Sequence, residues 1–260
     1  MTAPGVAVEP HLRDVRDAGR KILVAYMTGG LVADWVRYVE AMADAGADAV
    51  EIGIPFSDPV MDGPTIQEAS GAALARGVTP ASILDDVAGA QVEVPLVAMT
   101  YYNLVARAGH VRFARQLAAA GVRGAIVADI PLEESAGWET DAGDSGVETV
   151  LLAAPVSSDS RLAQICRRSH GFVYGVNVMG VTGERAAISS SAEVLAKRLK
   201  AVTDLPVVMG FGVSTPEQAA AVAACADGAV VASALIRQVL AGAGPAEVAA
   251  AVKAFRAALD

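Results

Sequence analysis

Residues 49–67 read AVEIGIPFSDPVMDGPTIQ, an apolar strand pattern that runs directly into a loop containing three prolines. Glu51 lies inside the strand pattern, and Asp58 and Asp62 lie on the loop. Because proline fixes the backbone φ angle, this loop loses less entropy than a flexible one when it orders over a ligand. A strand that ends in such a loop is typical of parallel α/β barrels, which carry their chemistry after the strands.

Glu51 is the first candidate for acid–base chemistry. An ionised carboxylate between Val50 and Ile52 is costly to bury, so Glu51 is expected to be paired, protonated or exposed at the mouth of a cavity. A raised pKa would suit a group that transfers protons. The alternative is that Glu51 is a buried salt-bridge partner and that Asp58 and Asp62 only form turns. The sequence leaves both interpretations open.

Eight short apolar or β-branched runs recur along the chain and predict eight strands. They span residues 22–27, 49–53, 95–99, 125–128, 148–152, 172–176, 206–209 and 229–231. Ala-rich segments of helical period separate them, for example residues 34–45 and 110–120. This alternation predicts an α/β fold with a single (β/α)8 TIM barrel over residues 1–260, and an open doubly wound sheet is the alternative. Residues 9–19 predict an additional N-terminal helix at the barrel floor.

Composition and charge exclude several classes of function. The chain has 20 basic and 29 acidic residues, a net charge of −9 and no basic stripe, so a nucleic-acid partner is not expected. No apolar segment approaches the roughly 20 residues that cross a bilayer, and residues 1–20 lack an apolar secretory core. The two cysteines and three histidines show no ligand spacing. We therefore expect a cytoplasmic protein without a metal site.

Glycine and other small residues cluster in the loops after the last three predicted strands. These loops contain Met179-Gly180-Val181-Thr182-Gly183, Gly210-Phe211-Gly212-Val213-Ser214 and Ala232-Ser233-Ala234. Glycines let backbone N–H groups approach an anion, and a helix that begins at Ser233 adds the positive end of its dipole. Barrel enzymes commonly bind phosphate after strands seven and eight. The three loops together predict a phosphate site, although simple loop glycines explain any one of them.

These features together resemble the α subunit of tryptophan synthase over nearly the whole chain. Besides the run 51–67, the matching motifs are Met99-Thr100-Tyr101-Tyr102-Asn103, Val127-Ala128-Asp129-Ile130-Pro131 with Glu133-Glu134-Ser135, Gly180-Val181-Thr182-Gly183 and Gly210-Phe211-Gly212-Val213-Ser214. The run 51–67 is long and specific, and the other motifs follow in the family's order and spacing. The resemblance implies a lyase of tryptophan biosynthesis that cleaves indole-3-glycerol phosphate to indole and glyceraldehyde 3-phosphate by a retro-aldol reaction.

The resemblance also implies roles for individual residues. Glu51 would shuttle protons between the glyceryl hydroxyl and indole C3, and Asp62 would stabilise positive charge at the indole N–H. Tyr174 matches an active-site tyrosine of the family, and its alternative is a core aromatic residue. The implied substrate-binding residues are Tyr26, Tyr101, Asp129 and Thr182. The implied phosphate-binding residues are Gly183, Gly210, Gly212, Ala232 and Ser233.

The family's α subunit pairs with a β subunit that carries pyridoxal phosphate. The resemblance therefore implies an α2β2 heterotetramer and no cofactor in this chain. Asp58, Pro59 and Asn103 match positions that face the β subunit. Ala232 stands where the family usually has a glycine, and an alanine is unstrained there only if its φ is negative.

Three other functions remain open at this point. The loops after predicted strands 1, 3, 6 and 8 depart from the family's usual sequences, and these departures would permit a stand-alone lyase that releases free indole. The departures are Thr28-Gly29-Gly30-Leu31, Leu104, Val178-Met179 and Ala232. A non-catalytic activator of a β subunit is a second possibility, although the presence of Glu51, Asp62 and Tyr174 argues against it. A different phosphate-binding barrel enzyme, such as an isomerase, is the third, and the run 51–67 makes it remote.

Overall fold

The computed structural model describes residues 5–176, 185–210 and 212–260, and for residues 185–190 it describes the backbone alone. Its strands are β1 (Ile22–Thr28), β2 (Ala49–Gly53), β3 (Leu96–Thr100), β4 (Gly124–Val127), β5 (Glu148–Thr149), β6 (Leu151–Ala153), β7 (Val173–Val176), β8 (Val207–Gly210) and β9 (Gly228–Val231). Its helices are α1 (Val8–Asp17), α2 (Trp35–Asp44), α3 (Pro64–Ala75), α4 (Pro80–Val87), α5 (Tyr102–Ala108), α6 (His110–Ala119), α7 (Ala136–Asp144), α8 (Asp159–Arg168), α9 (Arg185–Lys200), α10 (Pro216–Ala223), α11 (Ser233–Leu240) and α12 (Pro245–Leu259). None of these helices is long and apolar enough to cross a membrane.

The strands form one parallel sheet that closes on itself. Their order is β5-β4-β3-β2-β1-β9-β8-β7-β6, so the two ends of the order are β5 and β6. These two segments are consecutive in the chain and are separated by Val150 alone. β5 pairs with β4, whereas β6 pairs with β7, and this change of partner divides the predicted fifth strand into two segments. The predicted barrel is confirmed, and the open doubly wound sheet is excluded.

Apolar side chains fill two separate layers, one inside the barrel and one between the barrel and the outer helices. Successive residues of a strand point to opposite faces, so alternate residues of each strand enter each layer. The inner layer includes Val24, Ala49, Val97 and Val208. Because both faces of the sheet are buried, the strands read as nearly continuous apolar runs rather than as alternating ones. This is the pattern that made the strands recognisable in the sequence.

α1 closes the floor of the barrel, as the sequence predicted. Val8 and Leu12 are fully buried and belong to the inner apolar layer. The carboxylate of Glu148, at the start of β5, accepts hydrogen bonds from the backbone N–H groups of Val8 (3.2 Å) and Glu9 (2.7 Å). Glu148 therefore satisfies the first free amides of α1, a role that the sequence analysis did not predict. A closed floor leaves the opposite mouth, at the carboxyl ends of the strands, for chemistry.

Candidate active site

Glu51 lies in the middle of β2, two residues after Ala49, and its side chain points into the barrel on the same face. The residue is 1% exposed, and its Oε2 has no hydrogen-bond partner among the described residues. Burial, and then the charge of Asp62, raises the pKa of Glu51 to about 8. No cation among the described residues contributes to this shift, which argues against the salt-bridge interpretation. With a pKa of about 8, the carboxyl group of Glu51 is mostly protonated at neutral pH.

Asp62 lies on the loop between β2 and α3 and is held by Tyr101, the first residue after β3. The Tyr101 hydroxyl donates to Asp62 Oδ2 (3.0 Å) and accepts from the Met61 N–H (3.1 Å). The ring of Phe56 stacks on the ring of Tyr101, with centroids 5.0 Å apart. Burial raises the pKa of Asp62 to about 6, while the Tyr101 hydrogen bond opposes the rise. Asp62 is therefore mostly ionised at neutral pH.

Tyr26 and Tyr174 each lie against a glycine of the neighbouring strand. A Cβ atom at Gly53 would come within 1.8 Å of the Tyr26 Oη, and one at Gly210 within 2.6 Å of the Tyr174 Oη. Both tyrosines are buried, and burial raises the pKa of each phenol above its ordinary value. Negative charge on Asp62 and Glu51 adds to both shifts. The two hydroxyls therefore stay protonated near the carboxyl groups and can serve as hydrogen-bond donors.

Tyr174 also packs as a core residue, the alternative that the sequence left open. Its ring centroid lies 6.0 Å from that of Phe172, and both rings belong to the inner apolar layer. The charge of Glu51 also contributes to the raised pKa of Tyr174, so packing in the core does not exclude a role for Tyr174 at the site, which stays a prediction. One edge of the ring packs in the barrel while the hydroxyl lies against Gly210.

Two of the three predicted phosphate loops lie at the carboxyl ends of adjacent strands. β8 ends at Gly210, and Gly212 follows with a φ of +67° that favours glycine. Ser233 is the first residue of α11, where backbone N–H groups have no partner within the helix. Ala232 has a φ of −114°, so replacing the usual glycine causes no left-handed strain. Thr182 and Gly183, predicted for the third loop, lie outside the described residues.

The predicted rim residues occupy exposed positions around this mouth. Asp129 is exposed after β4, and its Oδ1 accepts a hydrogen bond from the Tyr102 N–H (2.6 Å). Asn103 is exposed on the first turn of α5. Asp58 is exposed on the loop that carries Asp62, and Pro59, which is half-buried, follows it. The neighbouring Val60 is 71% exposed, and Met61 beside it is 44% exposed.

Sequence reasoning missed three side chains near the site. Phe56 supports Tyr101 by stacking, and its place inside the run 51–67 was the available signal. Thr28 ends β1 fully buried, with its Oγ1 3.5 Å from the Tyr26 hydroxyl. Thr100 ends β3 fully buried, and its Oγ1 has no hydrogen-bond partner among the described residues. The place of Thr100 inside the motif at residues 99–103 was the available signal for it, whereas nothing in the local sequence distinguished Thr28 from an ordinary strand residue.

Two cavities lie away from the carboxyl groups. One of about 290 Å³ lies at the ends of β4 and β6 and is lined in part by Val127 and Leu152. The other, of about 430 Å³, lies among α10, α11 and α12. Neither is lined by Glu51 or Asp62. Within residues 5–176, 185–210 and 212–260, no group of three or more His, Cys, Asp or Glu side chains could hold a metal ion.

Fold and site together define a class of protein. A closed parallel barrel carries one protonated and one ionised carboxyl group near its mouth, beside loops whose amides suit a phosphate. This is the arrangement of a barrel enzyme that performs acid–base chemistry on a phosphorylated substrate.

Comparisons with known proteins identify the family. Residues 12–259 match the family model described as tryptophan synthase alpha chain. The tryptophan synthase alpha chain of Streptomyces coelicolor is 45% identical over 88% of this chain and 86% of its own length, and that of Halorhodospira halophila is 42% identical over 97% and 96%. A Mycobacterium tuberculosis tryptophan synthase structure superposes with a TM-score of 0.90 at 38% identity, covering 98% of each chain. The chain belongs to the tryptophan synthase alpha chain family, whose members are lyases that cleave indole-3-glycerol phosphate.

Proposed function

We propose that Glu51 and Asp62 carry out in this chain the reaction of its family, the cleavage of indole-3-glycerol phosphate to indole and glyceraldehyde 3-phosphate. The observation that carries the proposal is that two carboxyl groups of one site have different surroundings: Glu51 is buried with no hydrogen-bond partner for Oε2 among the described residues, whereas Asp62 accepts a 3.0 Å hydrogen bond from Tyr101. These surroundings raise the pKa of Glu51 to about 8 and that of Asp62 to about 6. At neutral pH, Glu51 holds a proton that it can give away, while Asp62 is mostly negative. The reaction needs one group of each kind.

A single carboxyl group, that of Glu51, gives and takes back the one proton that the proposed steps require. Glu51 donates its proton to indole C3, and the positive charge that this leaves on the ring nitrogen is stabilised by ionised Asp62. The Glu51 carboxylate then takes the proton of the adjacent glyceryl hydroxyl. The aldehyde C=O forms, the bond to C3 breaks, and its electron pair returns to the ring as neutral indole. Glu51 ends the cycle protonated, as it began.

The surrounding residues hold the substrate in this proposal. Tyr101 orients Asp62 through the 3.0 Å hydrogen bond, and Tyr26 and Tyr174 provide the walls of the indole pocket. The phosphate would bind the amides near Gly212 and Ser233, where the N-terminus of α11 favours negative charge. Gly210 would shape this loop and Ala232 would precede the binding serine. We retain Asp129 and Thr182 as proposed substrate contacts and Gly183 as a proposed phosphate contact.

We further propose that the chain works as the α subunit of an α2β2 tryptophan synthase. Exposed Asp58 and Val60 lie on the loop after β2, and exposed Asn103 lies on the first turn of α5, at the mouth where a partner could receive indole directly. Pyridoxal phosphate would belong to the β subunit, since the cleavage proposed here needs acid–base groups alone. A cytoplasmic location is proposed because a phosphorylated substrate is charged and does not cross membranes freely.

Indole release from indole-3-glycerol phosphate, measured with and without a tryptophan synthase β subunit, tests the proposal. We expect stimulation by β and loss of at least 100-fold in kcat for Glu51→Gln, the upper range for a proton-transfer group being about 10⁴-fold. Glu148→Gln is the matched control, because Glu148 is also a strand glutamate whose pKa is raised by burial, at the opposite end of the barrel. It should keep its kcat.

Other outcomes select the alternatives. High turnover without β would identify a stand-alone lyase. Normal stimulation of β-subunit turnover without any cleavage by this chain would identify a non-catalytic activator. Full cleavage activity in Glu51→Gln would remove the acid–base assignment.

A further inference from the structure

A line of polar contacts runs from the mouth of the barrel to an outer helix. It begins at Asp129, whose Oδ1 accepts the backbone N–H of Tyr102 (2.6 Å). The Tyr102 hydroxyl lies 3.1 Å from His110 Nε2, and His110 Nδ1 lies 3.5 Å from Asp141 Oδ2. These four residues connect the end of β4, the first residue of α5, the first residue of α6 and the middle of α7.

The contact between Tyr102 and His110 spans the bend between α5 and α6. Gly109 separates the two helices and adopts a φ of +84°, so the backbone itself allows the turn at this position. α5 has seven residues, a length at which a helix is not stable by its own hydrogen bonds. Side-chain contacts must therefore hold it in place. The carboxylate of Asp129 contributes at its N-terminus, where negative charge is favourable.

His110 is anchored on its other side by packing. Its ring lies edge-on to that of Trp138 in α7, with centroids 5.9 Å apart and an interplanar angle of 77°. Trp138 is 1% exposed and also contacts Phe113 of α6 at 6.1 Å. In the neutral tautomer that carries its proton on Nδ1, this proton lies on the side of Asp141, and Nε2 accepts a hydrogen bond from the Tyr102 hydroxyl. His110 thus connects Trp138, against which its ring packs, to Tyr102 at the start of α5.

We propose that Tyr102 and His110 are positioning residues for this side of the active-site mouth. They hold the start of α5, and through it the carboxylate of Asp129 and the adjacent Asn103, in a geometry suited to substrate and partner. The proposal rests on the proposed function, because it assigns substrate contact to Asp129 and β-subunit contact to Asn103. Neither Tyr102 nor His110 touches the reacting atoms.

The kinetic test uses Tyr102→Phe, His110→Phe and His110→Gln with the full chain and a β subunit. Tyr102→Phe and His110→Phe should raise both the KM for indole-3-glycerol phosphate and the β concentration for half-maximal stimulation by about three- to tenfold, the scale of one lost hydrogen bond. The kcat at saturation should stay within about twofold, because the carboxyl groups are unchanged. His110→Gln should restore most of both values, since its amide oxygen can accept the Tyr102 hydroxyl.

Tyr38→Phe is the matched control. Its hydroxyl donates a hydrogen bond of similar length, 2.9 Å, to the Ala243 carbonyl on the outer helical layer, away from the mouth. It should lower thermal stability to a similar extent without changing either kinetic value. The proposal is overturned if Tyr102→Phe changes the KM and the β concentration for half-maximal stimulation no more than Tyr38→Phe does. It is also overturned if these two values are raised as much in His110→Gln as in His110→Phe.

Hydrogen exchange separates this proposal from the proposed function. Amides of residues 102–108 in the isolated chain should exchange about three- to tenfold faster in Tyr102→Phe than in the unsubstituted protein. Unchanged exchange would overturn the positioning role regardless of activity. If the unsubstituted chain shows no cleavage with β, the proposed function fails, whereas the exchange result still decides whether these residues hold α5.

Discussion

Replacement of Glu51 by glutamine should change how the stability of the protein depends on pH. The native pKa of Glu51 is raised from an ordinary 4.5 to about 8 by burial and by Asp62. Between these two values the unfolded chain is ionised at this position while the native protein keeps the proton. The native state then binds more protons than the unfolded state, so stability falls as the pH rises. Glutamine imitates the protonated carboxyl group and removes this loss.

The magnitude follows from the size of the shift. Each pKa unit corresponds to about 1.4 kcal/mol, so the full shift of Glu51 corresponds to about 5 kcal/mol as an upper bound. The raised pKa of Asp62, about 6, also lowers the stability of the protein as the pH rises, but it does so mainly below pH 6 and in both proteins alike. Above pH 6.5 the difference between the two proteins therefore reports mainly on Glu51. From pH 6.5 to pH 8, Glu51→Gln should gain up to about 2 kcal/mol relative to the unsubstituted protein.

Urea unfolding of both proteins at pH 6.5, 7.0, 7.5 and 8.0 measures this difference, with lyase turnover measured on the same samples. Stability should diverge while turnover is lost in the glutamine variant. Other buried carboxyl groups, such as Glu148, are present in both proteins and cancel in the comparison. Parallel stability curves over this range would falsify the reasoning, since they would mean that Glu51 is already ionised in the native state and cannot act as the acid.

Three further predictions concern the same site. The pH profile of kcat/KM should be bell-shaped, with a fall below about pH 6 as Asp62 becomes protonated and a fall above about pH 8 as Glu51 loses its proton. Asp62→Asn should remove the fall at low pH from the activity that remains. If the variant keeps this fall, another group is responsible for it. Gly53→Ala should lower the free energy of unfolding by about 1–3 kcal/mol, because its Cβ would lie 1.8 Å from the Tyr26 Oη and 2.6 Å from the ring Cζ. Adding Tyr26→Phe removes only the nearer of these two contacts and should recover part of the loss in urea unfolding; equal stability of the single and double variants would contradict the contact. Ser233→Glu should raise the KM for indole-3-glycerol phosphate at least about tenfold with little change in kcat, since it places a negative charge at the first residue of α11; an unchanged KM in steady-state kinetics would exclude phosphate binding there.

Much of the barrel could be predicted from the chain because its signals are local. Apolar runs and helical periodicity depend on neighbouring residues, and they placed all eight strands and the additional N-terminal helix. The division of the fifth strand at Val150 could not be predicted in this way. It arises because β5 and β6 pair with different neighbours, β4 and β7, and the choice of pairing partner depends on closure of the whole ring.

For the candidate site, too, some features follow from the sequence and others only from the tertiary structure. The sequence by itself determined the alternation of strands and helices, the family, and the presence of two carboxyl groups around a stiff loop. Tertiary structure alone decided that burial raises the pKa of Glu51, that its Oε2 has no partner within the described part of the chain, and that Tyr101, 39 residues away in the chain, holds Asp62. The physical reason is that desolvation and hydrogen bonding act through space, between atoms brought together by folding, whereas strand and helix patterns are written in adjacent residues.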